Sequence, residues 1–199
     1  MQKKFLKIVI ILLLLLCTFT ITSKSEAATA TPTYPYDLIW NIESYYYYLD
    51  SSATKYATQI ANAANNWVYT GYGWNNLYPN TKTTKIIDSA CDFFGYSEVD
   101  NTNAYTTFFK RSNGHSGTVS RANPYSSNWL FNEIYLNYFY MDEYSSTTKQ
   151  GVIAHEFGHA FGLDHNDTNS NSIMCSMSHG RAVYKVQQVD QNAFNAKHP

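Results

Sequence analysis

His155 and His159 stand four residues apart, with Glu156 directly after the first and His165 a short way beyond the second. On a helix, positions i and i+4 share a face, so both imidazoles can reach one metal ion at adjacent coordination positions. Glu156 is turned around the helix from that pair, which places it to bond a metal-held water rather than the metal itself. Gly162 falls where the helix must stop, and glycine takes the left-handed backbone that reverses a chain. The turn brings His165 back as a third ligand. Three imidazoles leave one position of a tetrahedral zinc ion open for water, whereas a structural site closes its coordination with protein ligands. Zinc lowers the pKa of that water to about 7 and polarises a carbonyl, while Glu156 accepts the proton as general base and returns it to a leaving amine. The chemistry implied is hydrolysis of a peptide bond. A chance match to His, Glu, His, Gly and His at fixed spacing is on the order of one in ten thousand for such a chain.

Several elements must position these side chains. Thr147 and Gln150 fit a capping box ahead of Val152-Ile153-Ala154, so a helix is predicted to start there and carry the histidines. Before it, Ile134, Leu136, Tyr138 and Tyr140 alternate with Asn137 and Phe139, which predicts a strand. Ala53, Tyr56, Ala57, Ile60, Ala61, Ala64, Trp67 and Val68 follow helical periodicity and form a core stripe. Residues 38–49 read as a strand leading into that helix through Asp50-Ser51-Ser52, and Lys85-Ile86-Ile87-Asp88 as a short strand. Residues 88–124 are the least legible part. A further helical stretch is expected from Val186 to Ala196.

The N-terminus carries Lys3, Lys4 and Lys7, an apolar run from Ile8 to Leu16, then small and polar residues. This pattern predicts a signal peptide over residues 1–27, with cleavage as late as 30; the run is shorter than the roughly 20 residues that span a bilayer. No stable membrane anchor is expected. A short Thr/Pro linker over 28–35 and one catalytic domain over 36–199 would follow. Without residues 1–27 the chain has 10 basic and 14 acidic residues, so no basic footprint for nucleic acid remains. Cys91 and Cys175 persist after cleavage, and export would permit a disulfide between them; two separate buried thiols are the other reading. The 18 tyrosines suit an extracellular surface.

The run His155-Glu156-Phe157-Gly158-His159-Ala160-Phe161-Gly162-Leu163-Asp164-His165 resembles the extended zinc-binding motif of the metzincin metalloproteases, and its wording is most similar to the matrixin branch. Ser172-Ile173-Met174 resembles the turn in which metzincins hold a methionine beneath the zinc, so Met174 would support the site without ligating. Ser176 stands where two branches place a ligating tyrosine, which leaves Glu156 as the sole protein acid and base. The resemblance implies an α+β fold of zincin type: a twisted mixed sheet with packed helices, an active-site helix, and a small subdomain after His165. It also implies a substrate extended along the sheet edge.

Departures accompany the likeness. Animal matrixins carry a propeptide whose cysteine blocks the zinc, whereas here only a few residues are expected between the signal and the first strand; His115 stands alone where those relatives gather a second zinc site, so one zinc is predicted. Calcium is permitted, but no dense oxygen-ligand loop supports it. Asp164 and Asp167 flank His165, either bonding an imidazole or facing solvent; His179 and His198 are expected to be solvated. The favoured reading is a secreted, monomeric zinc endopeptidase acting on peptides or proteins. A zinc-stabilised extracellular binding protein and a metal-dependent cell-wall peptide amidase are the alternatives.

Overall fold

A computed structural model describes residues 29–75 and 82–199; the predicted signal peptide lies outside these residues. Six strands form one mixed sheet: β1 (Tyr47–Leu49), β2 (Lys82–Thr83), β3 (Cys91–Tyr96), β4 (Ala104–Asn113), β5 (Ser116–Ala122) and β6 (Phe131–Asn137), in the order β2-β1-β3-β6-β4-β5. The pairs β1/β2, β1/β3 and β3/β6 are parallel, while β4 runs antiparallel to β6 and β5. The fold class is α+β, as expected.

Alternation along the strands decides what faces the helices. Phe93, Ile134 and Leu136 are fully buried on one face, whereas the opposite face carries partly exposed rings such as Tyr105 and Tyr135, stacked with centroids 4.9 Å apart. Aromatic residues on both faces blur the apolar/polar alternation by which strands are recognised. For this reason β3 and β4 carry no clear strand signal, while β5, Ser-Gly-Thr-Val-Ser-Arg-Ala, has too few apolar residues to alternate.

Helix α1 (Ala57–Val68) follows a 3-10 segment, Ser51–Tyr56, capped by Asp50, whose side chain accepts from the Ser52 amide at 2.8 Å. Its buried stripe includes Ile60, Ala64, Trp67 and Val68, and the Trp67 indole donates to the Ala154 carbonyl at 2.8 Å. Most of the predicted stripe thus faces the histidine helix, but Ala53 and Tyr56 lie in the 3-10 segment, Ala57 is exposed, and Ala63 joins the buried face.

Three boundaries differ from expectation. Most of residues 38–49 is not strand: Asn41 accepts from the Glu43 amide at 2.9 Å and opens a 3-10 turn, leaving only Tyr47–Leu49 in the sheet. Ile86–Asp88 is likewise a 3-10 turn rather than a strand. Strand β6 ends at Asn137, whose side chain accepts from the Phe139 amide at 3.1 Å and starts the short α2 (Tyr138–Met141).

Residues 29–35 are not a loose linker. Thr33 bridges Leu163, the Tyr34 amide donates to the Gly162 carbonyl at 2.8 Å, and Thr31 is buried with its hydroxyl donating to Asp190 at 2.8 Å. Their few apolar side chains gave no periodic signal, but their backbone groups are satisfied on the turn after the histidine helix.

Candidate metal and catalytic centre

Helix α3 (Ser146–Ala160) begins two residues earlier than the predicted capping box: Ser145 caps it, accepting from the Thr148 amide at 3.1 Å. Every residue from Gly151 to Ala160 is buried, so α3 runs through the core. Gly162 has φ +98°, in the left-handed region, and its amide donates to the His159 carbonyl at 2.9 Å. The helix therefore ends as the sequence implied, and the chain turns back toward its own face.

The turn delivers His165 to the other two imidazoles. His159 Nε2 lies 3.1 Å from His155 Nε2 and 3.3 Å from His165 Nε2. Nitrogens bound at ~2.05 Å around a tetrahedral zinc ion stand ~3.3 Å apart, so the spacing fits one shared ion. The tautomers agree. His155 Nδ1 faces the Ile173 carbonyl at 2.8 Å, and His159 Nδ1 the Leu163 carbonyl at 2.9 Å. A carbonyl only accepts, which places the ring protons on Nδ1 and turns the Nε2 lone pairs toward one another. Three converging lone pairs repel unless a cation lies between them. Burial, then the neighbouring imidazole, pulls His159 down to about 4, and burial holds His155 well below the usual histidine range. Both are neutral at pH 7, as metal ligands must be. His165 is the exposed member of the cluster.

Glu156 faces the same cleft. Burial pushes its carboxyl up to about 7, opposed by the Thr106 hydroxyl, which donates to Oε2 at 2.8 Å, and by the Arg181 charge. A carboxyl that exchanges a proton near neutral pH suits a general base. Thr106 lies on β4, so the sheet orients the carboxylate while the helix carries it.

Met174 packs against Gly158, and its turn presents the Ile173 carbonyl that orients His155. Asp190 fixes this turn: it accepts from the Ile173 amide at 2.9 Å and the Gln187 amide at 3.0 Å from the start of α4 (Gln188–Lys197). Helix α4 thereby matches the predicted C-terminal helical stretch.

Asp164 and Asp167 bond neither ligand imidazole. Asp164 accepts from the His165 amide at 2.8 Å and the Tyr125 hydroxyl at 2.7 Å; Asp167 accepts from the Ser176 amide at 2.7 Å. His179 is an exposed residue 3.4 Å from Asp167, and His115 is exposed at the β4/β5 hairpin. His198 is only partly solvated: its ring lies tilted against Phe194 with centroids 4.8 Å apart and meets the Phe161 carbonyl at 2.7 Å. The disulfide does not form. Cys91 and Cys175 are both buried free thiols, Cys91 beside Tyr45 in the sheet core and Cys175 on the Met174 turn, 3.8 Å from the His179 carbonyl.

Three site residues escaped the sequence reading. Thr106 lies in the least legible stretch, and Arg181 in a loop without periodicity. Tyr34 falls in the stretch expected to be a linker, yet its hydroxyl lies 3.0 Å from His159 Nδ1, and Trp129 meets its ring edge to face.

Two buried histidines and one exposed one converge beside a buried glutamate, a donor set suited to a metal ion. The chain belongs to the Peptidase_M57 family, described as dual-action HEIGH metallo-peptidase, whose model matches residues 54–187. Here the motif reads His155-Glu156-Phe157-Gly158-His159, with phenylalanine in the isoleucine place. The family and the cluster make the protein a metallopeptidase of metzincin-like type; the match does not extend to the matrixin branch. No curated protein matches the chain. A chain of a solved structure titled "GM1 bound form of the ECX AB5 holotoxin" is similar at 15% identity, with 85% of this chain and 79% of that one covered and a TM-score of 0.45.

Proposed function

We propose that the protein is a secreted zinc endopeptidase that cuts peptide bonds within extended segments of protein substrates, with Glu156 as its general base. The observation that carries this reading is the meeting of three imidazoles, with His159 Nε2 3.1 Å from that of His155 and 3.3 Å from that of His165, beside a buried carboxylate. His155, His159 and His165 would hold the ion, which supplies a Lewis acid for the scissile carbonyl and for water.

The chain's own residues do the rest. Thr106 keeps one carboxylate oxygen of Glu156 fixed, so the other can take a proton from the attacking water and later return it to the leaving amine. The Ile173 and Leu163 carbonyls hold the imidazoles in one tautomer and one orientation. Strand β5 pairs with β4 only from Phe108 onward, so residues 104–107 keep one edge unpaired among the described strands. An extended substrate fits there as an added strand, with its backbone passing Glu156. Export rests on the charged, then apolar, then small-residue pattern of the N-terminus. No helix among the described residues is long and apolar enough to cross a membrane.

Zinc analysis of the chain lacking residues 1–27, paired with casein hydrolysis with and without a chelator, tests this reading. One zinc per chain and chelator-sensitive cleavage are expected. Zinc without cleavage of any protein would instead favour the binding-protein alternative.

A further inference from the structure

His159 stands between the other two ligands, and two groups meet its Nδ1: the Leu163 carbonyl at 2.9 Å and the Tyr34 hydroxyl at 3.0 Å. The carbonyl can only accept, so the ring proton sits on Nδ1 and the Tyr34 oxygen accepts a share of it. Both acceptors are held by the same short segment. The Tyr34 amide donates to the Gly162 carbonyl and the Asp164 amide to the Pro32 carbonyl, each at 2.8 Å, so residues 32–34 pair in antiparallel fashion with the turn between His159 and His165. Lys197, at the end of α4, donates to the Tyr34 carbonyl at 2.7 Å and ties the segment to that helix.

The ring of Tyr34 has little freedom. It is 6% exposed, and Phe108, Tyr125 and Trp129 meet it edge to face with centroids 5.1 to 6.2 Å away. Burial, then the Asp164 charge, keeps its phenol well above the usual range, so the group stays a neutral hydroxyl. Packing alone does not call for that hydroxyl, which is costly to bury unless it is bonded. Among the described residues, the bond that offsets this cost is the one to His159. A side chain locked in this way holds the imidazole plane as well as its tautomer, and an acceptor at Nδ1 makes Nε2 a stronger donor to a metal ion.

We propose that Tyr34 is a positioning residue for the metal: its hydroxyl fixes the His159 imidazole, so the chain holds its ion tightly only while residues 32–34 are seated on the turn after the histidine helix. The stretch expected to be a linker is thereby part of the metal centre. Tyr34 lies outside residues 54–187, so the family match does not assign it this role. The inference rests on the three histidines as metal ligands and is independent of what the chain cuts.

Tyr34→Phe keeps the ring and removes the hydroxyl. Zinc affinity, measured by competition with a chelating dye, is expected to fall about tenfold, because outer partners of metal-bound histidines contribute roughly ten- to a hundredfold and the Leu163 carbonyl remains. Melting with and without zinc separates positioning from packing. Loss of positioning shrinks the rise in melting temperature that zinc produces. Equal falls in both melts, with zinc affinity at the parental value, would make Tyr34 a packing residue and overturn the proposal.

Proton NMR of the zinc-loaded parent gives a test that needs no variant. The His159 Nδ1 proton should exchange slowly with water and show a nuclear Overhauser contact to the Tyr34 ring protons. A His159 ring proton without that contact would refute the assignment even if casein is cut. A parent chain that binds no zinc would overturn the inference together with the metal reading beneath it.

Discussion

Gly158 and Met174 occupy the same space: a β-carbon at position 158 would overlap Met174 Sδ and stand 3.1 Å from Trp67 Cζ2. The glycine lets the Met174 turn rise against the underside of the histidine helix. That closeness brings the Ile173 carbonyl to His155 Nδ1.

Gly158→Ala should therefore push the turn and the helix apart. Overpacking costs about 1–3 kcal/mol, against which alanine's better helix propensity returns about 1. A lower melting temperature together with weaker zinc affinity is expected. A variant that melts higher and keeps its zinc would show that the turn does not depend on this contact.

Thr106→Val keeps the shape of the side chain and removes its bond to Glu156. That bond favours the charged carboxylate, so its loss raises the Glu156 pKa further above the ordinary carboxylate range. The base must be ionised to accept a proton, so the acid limb of the kcat/KM profile should move to higher pH by about one unit. An unmoved limb would detach Thr106 from the base.

Asp92 gives a stability prediction away from the catalytic centre. It is 4% exposed on β3, and burial pushes its carboxyl up to about 7, with the Ser89 hydroxyl opposing and the Glu133 charge adding to the rise. Its folded pKa lies above the unfolded value of about 4. The stabilising contribution of the protonated form is thus complete below about pH 4 and lost as pH rises through about 7. Asp92→Asn should melt like the parent at pH 4 and be more stable by about 1–3 kcal/mol at pH 8. Denaturant melts at the two pH values check this; equal shifts at both would refute it.

Local spacing made the ligands legible. His155 and His159 share one helix face by arithmetic alone, Gly162 marked the turn, and the stripe from Ala53 to Val68 identified the helix on which α3 rests. What stayed hidden came from distant parts of the chain. Thr106 meets Glu156 across 50 positions, and Tyr34 meets His159 across 125. Neither carries a signal in its neighbours. Strands β3 and β4 lack alternation because rings line both sheet faces, β5 because it holds few apolar residues, and Asn41 and Asn137 cut two predicted strands short by capping the turns beside them. The disulfide could not be judged from spacing, since export permits a bond but says nothing of the distance between two thiols.

Glu156→Gln tests the central claim most directly, with zinc per chain and casein hydrolysis measured on the same preparation. The carboxamide keeps the shape of the side chain and leaves the three imidazoles intact, but it cannot take a proton from water. Zinc content should equal that of the parent while hydrolysis falls at least about a hundredfold. Cleavage at the parental rate by the zinc-loaded variant would contradict the assignment of Glu156 as the base.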